Sequence, residues 1–126
     1  MVKQLVYTVG DNPCQVVLTV SLTEDGIVAQ LYGGHRPHVG AVALSLPRPS
    51  LAQKETLSCN TSVLPLLGHK DDEIAKPIAE QIAKAFNQPT VVVAGLHVDN
   101  ATTAIIETLL ANSHAAAGLL IKENCI

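Results

Sequence analysis

Four of the five histidines in this 126-residue chain fall in three short clusters, each opened by glycine. The first is Gly33-Gly34-His35-Arg36-Pro37-His38-Val39-Gly40, the second Gly68-His69-Lys70-Asp71-Asp72, and the third Gly95-Leu96-His97-Val98-Asp99-Asn100. Imidazoles can donate, accept, carry charge near neutrality or ligate a metal. Each cluster begins where an apolar segment ends, which places these groups at loops, where binding and chemistry concentrate. If the three meet in space, they form one polar pocket for an anion, a metal ion or both. If they do not, they are three separate turns.

The first cluster combines close backbone approach at Gly33 and Gly34 with the planar donor fork of Arg36, which suits phosphate or carboxylate. His35 and His38 lie three apart across a proline, so one loop can aim both at a single point. The alternative is a solvated hairpin. In the second cluster, Lys70 and the N–H groups of a helix start attract anions, with His69 beside them. There the alternative is that Asp71 or Asp72 caps the helix. In the third, His97 and Asp99 point the same way along an extended segment, and a carboxylate beside an imidazole orients it or shares a cation with it. Asn100 can cap or bind. Cys59 reads as a small buried thiol, and His114 as a partly buried or interface residue.

Composition narrows the function classes. Hydrophobic residues make up 48% and charged residues 15%, with one phenylalanine, two tyrosines and no tryptophan, so the core must be aliphatic. So low a charge content suggests an apolar surface covered by a partner or a second copy, and homo-oligomerisation is expected. A net charge of −3 with scattered Lys and Arg argues against nucleic acid. Cys14, Cys59 and Cys125 make neither a disulfide framework nor a zinc knuckle. The start reads directly into a strand without a signal-peptide pattern, and no apolar run approaches the ~20 residues of a membrane helix. A cytoplasmic protein without a membrane partner is the expectation.

The elements that must position the clusters follow from periodicity. Lys3 to Val9 alternates, and Val16, Leu18, Val20 and Leu22 share one face of a second strand. Glu24-Asp25-Gly26 predicts a hairpin into Ile27–Tyr32. Val39–Leu46 predicts a fourth strand stopped by Pro47 and Pro49, and Thr56–Leu67 an edge strand holding Pro65. Ile74, Ile78, Ile82 and Phe86 then mark a helix, with Pro77 awkward inside it. Thr90–Ala94 is a short central strand. Thr102 or Thr103 caps a second helix that buries Ile106, Leu110, Ala117 and Leu120. The order β-β-β-β-β-α-β-α predicts one α+β domain over residues 1–126: a two-layer, mainly antiparallel sheet of about six strands with two helices on one face.

No G-x-S-x-G, P-loop, G-x-G-x-x-G or H-E-x-x-H motif is present, and this favours binding over catalysis. Together GGHRPHVGAVAL, LGHKDDEIAKPIAEQIAKAF and TVVVAGLHVDNATTAII resemble the LpdD-like family, small proteins associated with gallate-type decarboxylases that use prenylated flavin. The resemblance implies a non-catalytic carrier that binds prenylated FMN as cargo and passes it to a UbiD-type decarboxylase. It also implies a fold like the small proteasome-assembly chaperones, often dimeric. On this reading Gly33, Gly34 and the backbone near His35 approach the ligand, and Arg36 or Lys70 meets the phosphate. His38, His69, His97 and Asp99 would meet polar ring atoms or a bridging cation, with Asp71 and Asn100 beside them. Two other readings stand: a small metal-dependent enzyme on His35, His38, His97 and Asp99 with a divalent ion, and a structural oligomerisation subunit of a decarboxylase.

Overall fold

The computed structural model describes residues 1–51, 56–66 and 71–125. Its elements follow the expected order: β1 (Lys3–Val9), β2 (Val16–Thr23), β3 (Gly26–Gly34), β4 (Ala41–Pro49), β5 (Leu57–Pro65), α1 (Asp72–Phe86), β6 (Thr90–His97) and α2 (Thr103–Asn124). They build an α+β domain with one six-stranded sheet, ordered β1-β2-β3-β6-β4-β5. All pairings are antiparallel except β3 with β6, which run parallel. The late strand β6 is thus slotted between two early ones. It has a hydrogen-bonded neighbour on both edges.

One face of the sheet carries the core. Leu18 pairs with Leu31, Leu31 with Ala94, and Ala94 with Ala41, so the register keeps small and branched side chains in line beneath the helices. α1 lies over β4, β6 and β5, and α2 over β1 and β2. The stripe Ile74, Ile78 and Ile82 is buried as its period predicts. Alanines on both surfaces (Ala75, Ala79 and Ala83 against Ala41, Ala43 and Ala94) let helix and sheet approach closely. This substitutes for the missing aromatics.

Four expectations need correction. β4 runs through Pro47 and Pro49 rather than stopping before them; β6 pairs with it only from Ala41 to Ser45, and beyond that one edge is open, where a proline nitrogen needs no partner. β6 continues past Ala94 to His97, because Gly33 and Gly34 extend β3 alongside it. The buried stripe of α2 is Leu109, Ser113, Ala116, Ala117 and Leu120, while Ile106 is exposed and Leu110 only partly buried. That helix is apolar nearly all round, so periodicity alone does not select its inner face. It is also long and apolar enough, by length and composition, to cross a membrane, contrary to the sequence expectation. Here its polar groups are engaged within the domain: Asn112 donates to the Cys14 carbonyl at 2.8 Å and His114 Nδ1 lies 2.6 Å from Gln81 Oε1 on α1.

Candidate functional site

The parallel pairing of β3 and β6 brings the first and third clusters together. Gly34 pairs with His97, and the chain then turns so that the His97 carbonyl accepts the His35 N–H at 2.6 Å. Gly34 takes φ +79, a conformation that favours glycine, and a Cβ there would strike the His97 backbone. The loop to β4 folds back over the end of β6. Gly40 donates to the Ala94 carbonyl at 2.9 Å, and the His38 carbonyl lies where a Cβ of Gly95 would be. The approach made possible by these glycines is therefore of backbone to backbone, Gly34 against His97 and Gly95 against His38.

Two histidine–carboxylate pairs result. His97 Nε2 stands 2.8 Å from Asp99 Oδ1 and 3.2 Å from Arg36 Nη2, while Arg36 Nη2 is 3.6 Å from the same carboxylate oxygen. One nitrogen cannot donate to Asp99 and accept from Arg36 at once. The shorter contact and the charge of Asp99 place the proton on Nε2, with the guanidinium as a flanking ion-pair partner. Asp99 also holds the loop, since its N–H donates to His35 Nδ1 at 3.2 Å. The hydrogen bond from His97, with smaller contributions from Arg36, His97 and His35 as charges, keeps the Asp99 carboxyl below its ordinary range. Asp99 and Arg36 are well exposed, at 60% and 72%.

The second pair is enclosed. Asp71 is only 4% exposed, and its Oδ2 lies 3.0 Å from His38 Nε2. Its other oxygen accepts the Leu96 N–H at 2.9 Å. His38 Nδ1 faces the Arg36 carbonyl at 2.9 Å, an atom that can only accept. Each ring nitrogen thus faces an oxygen, and the imidazole bridges the Asp71 carboxylate and the loop backbone. Asp71 occupies the N-cap position of α1, but its side chain makes no capping bond. The cap expected of an aspartate here is replaced by a staple joining α1, the 35–40 loop and the end of β6. A Cβ at Gly40 would strike that carboxylate, so the loop glycine is part of the same fit.

Between the two pairs lies a cavity of about 370 Å³, lined by Arg36, Pro37, His38, Val39, Leu66 and His97. His38 and His97 meet edge to face across it, with ring centroids 6.4 Å apart. One wall is cationic and imidazole-rich, the other apolar. Of the sequence candidates, Arg36, His38 and His97 line the cavity, and Asp71, Asp99 and His35 adjoin it through hydrogen bonds to this network. Gly33 is buried in β3 against Gln15 and Leu96. Asn100 forms a left-handed turn residue, φ 54, ahead of α2. His69 and Lys70 lie outside the described residues. Sequence reasoning did not name Pro37, Val39 or Leu66 as site residues, because apolar loop side chains carry no chemical signature. The first two lie inside the first cluster, which was the available signal. Among the described residues no group of three or more His, Cys, Asp or Glu is arranged to hold a metal ion, so the metal-dependent reading finds no support.

A model of the prenylated flavin chaperone LpdD-like domain matches residues 10–124. The chain belongs to the LpdD-like family. The match covers all three clusters and both helices. No curated protein is similar to the chain. A solved chain from a chaperone complex for yeast 20S proteasome assembly superimposes with a TM-score of 0.64 at 20% identity, covering 97% of each chain. At that identity the likeness concerns the fold, which is the one the family resemblance implies.

Proposed function

We propose that this protein is a non-catalytic carrier that binds prenylated FMN as cargo and hands it to a UbiD-type decarboxylase in the cytoplasm. Family membership supports the flavin, and the convergence of Arg36, His38 and His97 on one cavity carries the reading. The Arg36 guanidinium supplies charge-assisted donors for a phosphate. His38 and His97 meet polar ring atoms, and Pro37, Val39 and Leu66 pack against the flat apolar part of the ligand. Gly33, Gly34 and the His35 backbone hold the loop that carries these groups, and His69, Lys70, Asp71 and Asn100 complete the candidate set. At about 370 Å³ the cavity is near the lower end of the ~300–1,000 Å³ range of ligand sites. A shallow, partly open site suits a carrier that must release what it binds. The protein acts on this reading as a homodimer, whose low charge content argues for a covered apolar surface.

The test is titration of the purified protein with FMN and with reduced prenylated FMN, following flavin absorbance anaerobically. Binding of the prenylated form in preference to FMN is expected, followed by activation of an apo-decarboxylase on mixing. Folded protein that binds neither flavin would rule the carrier out.

A further inference from the structure

Arg36 and His97 line the cavity, yet the polar tips of both meet a carboxylate that does not line it. Asp99 Oδ1 stands 2.8 Å from His97 Nε2 and 3.6 Å from Arg36 Nη2, and those two nitrogens are 3.2 Å apart. One carboxylate oxygen thus faces both polar groups of the cavity's cationic wall. The hydrogen bond from His97 keeps the Asp99 carboxyl below its ordinary range, so the group is an anion near neutrality. It stands where the charge of a phosphate would otherwise be drawn.

The hold on Arg36 is incomplete. At 3.6 Å its contact with Asp99 is too long for a hydrogen bond, whereas the guanidinium fork is built to give two parallel ones. His35 does not strengthen the hold, since its Nδ1 accepts the Asp99 N–H at 3.2 Å and lies 3.9 Å from Oδ2. Among the described residues no other carboxylate pairs with Arg36. Exposed ion pairs of this kind contribute little to stability, so a ligand with several charged oxygens can displace the carboxylate without disturbing the fold.

We propose that Asp99 is an internal counter-anion that competes with the phosphate of the cargo for Arg36 and so sets how readily the site releases it. Loading exchanges carboxylate for phosphate at the guanidinium. Unloading returns the carboxylate, so Arg36 keeps an anionic partner at both stages. While the cargo is bound, two anions stand near one another, and their repulsion favours release. Water screens that repulsion at so exposed a place, which keeps the effect modest. The identity of the cargo rests on the carrier reading; the exchange of anions does not.

Asp99→Asn keeps the shape of the side chain and an oxygen for the His97 N–H but removes the charge. Anaerobic titration of the full chain with FMN, prenylated FMN and riboflavin reads the consequence. The variant should bind both phosphorylated flavins about three- to tenfold more tightly than wild type and release them more slowly, with riboflavin binding unchanged. Equal or weaker binding of the phosphorylated flavins overturns the exchange, because a carboxylate that orients His97 for the ligand would be missed rather than relieved. An equal gain for riboflavin overturns it as well, since riboflavin has no phosphate. A second measurement needs no variant. Inorganic phosphate added to the wild-type protein at neutral pH should shift the Asp99 carboxyl and His97 imidazole resonances saturably, beyond the effect of sodium chloride at equal ionic strength. Resonances that respond to both salts alike overturn the exchange. If the wild-type protein binds no flavin, the carrier reading falls, and the phosphate titration still decides whether Asp99 yields to an anion.

Discussion

The two histidine–carboxylate pairs have nearly the same geometry, 3.0 Å for His38–Asp71 and 2.8 Å for His97–Asp99, but opposite surroundings. Asp71 is enclosed and spends both oxygens on partners from other segments. Asp99 is 60% exposed and bonds to a histidine two residues away. A buried charge is costly unless paired and hydrogen-bonded, so the first pair must hold the loop in place or not be there at all. An exposed pair contributes little to stability and leaves its groups available. The same two side-chain types thus form an enclosed staple in one place and a solvent-exposed pair in the other.

The comparison can be broken experimentally. Asp71→Ala removes acceptors from His38 and Leu96 together and should lower stability by about 3 kcal/mol in urea unfolding. A loss under about 0.5 kcal/mol, the range of ordinary surface substitutions, would mean the pair is no staple. Arg36→Ala should leave the unfolding midpoint unchanged and weaken prenylated FMN binding roughly ten- to hundredfold, the worth of one charge-assisted hydrogen bond. Equal affinity would move the phosphate away from Arg36.

Tyr7 offers a scale remote from the pocket. Its hydroxyl donates to Glu123 at 2.9 Å and accepts from Asn124 at 2.8 Å, and burial first, then Glu123, raises its pKa. Tyr7→Phe should cost about 1 kcal/mol with flavin affinity unaltered. The raised value makes this contribution complete below the ordinary tyrosine range, and it is lost as pH climbs through the folded value. The smallest effect concerns Asp99. Its carboxyl is lowered in the folded protein, so the stabilisation is present above the ordinary aspartate value and disappears as pH falls through the lowered one. Carboxyl chemical shifts should show Asp99 still ionised below pH 3.8, and Asp99→Asn should change stability only slightly. Titration of Asp99 at or above the ordinary value would remove its bond to His97.

Much of this was legible from local pattern. Alternation in Val16–Leu22 and the four-residue spacing of Ile74, Ile78 and Ile82 report which side chains face inward, because period follows directly from backbone geometry. Thr102 was one of two cap candidates, and it accepts from Ile105 N at 3.2 Å. Local pattern failed where the deciding neighbour is distant. Nothing near Pro47 reveals that β6 ends its pairing at Ser45, and nothing in α2 reveals that Leu109 rather than Ile106 meets the sheet. Asp71 looked like a cap because capping is the local use of an aspartate. Its actual partners, His38 and Leu96, are 33 and 25 residues away.

By itself the sequence determined the element order, the aliphatic core and the identity of the groups available for binding, since residue type and period are local properties. Only the tertiary structure decided that β6 slots between β3 and β4. That placement sets His97 beside Gly34, lays His38 on Gly95 and turns separate clusters into one cavity. It also left one sheet face uncovered, because both helices settled on the other side. Strand order depends on which distant edges find each other, and no local periodicity encodes that.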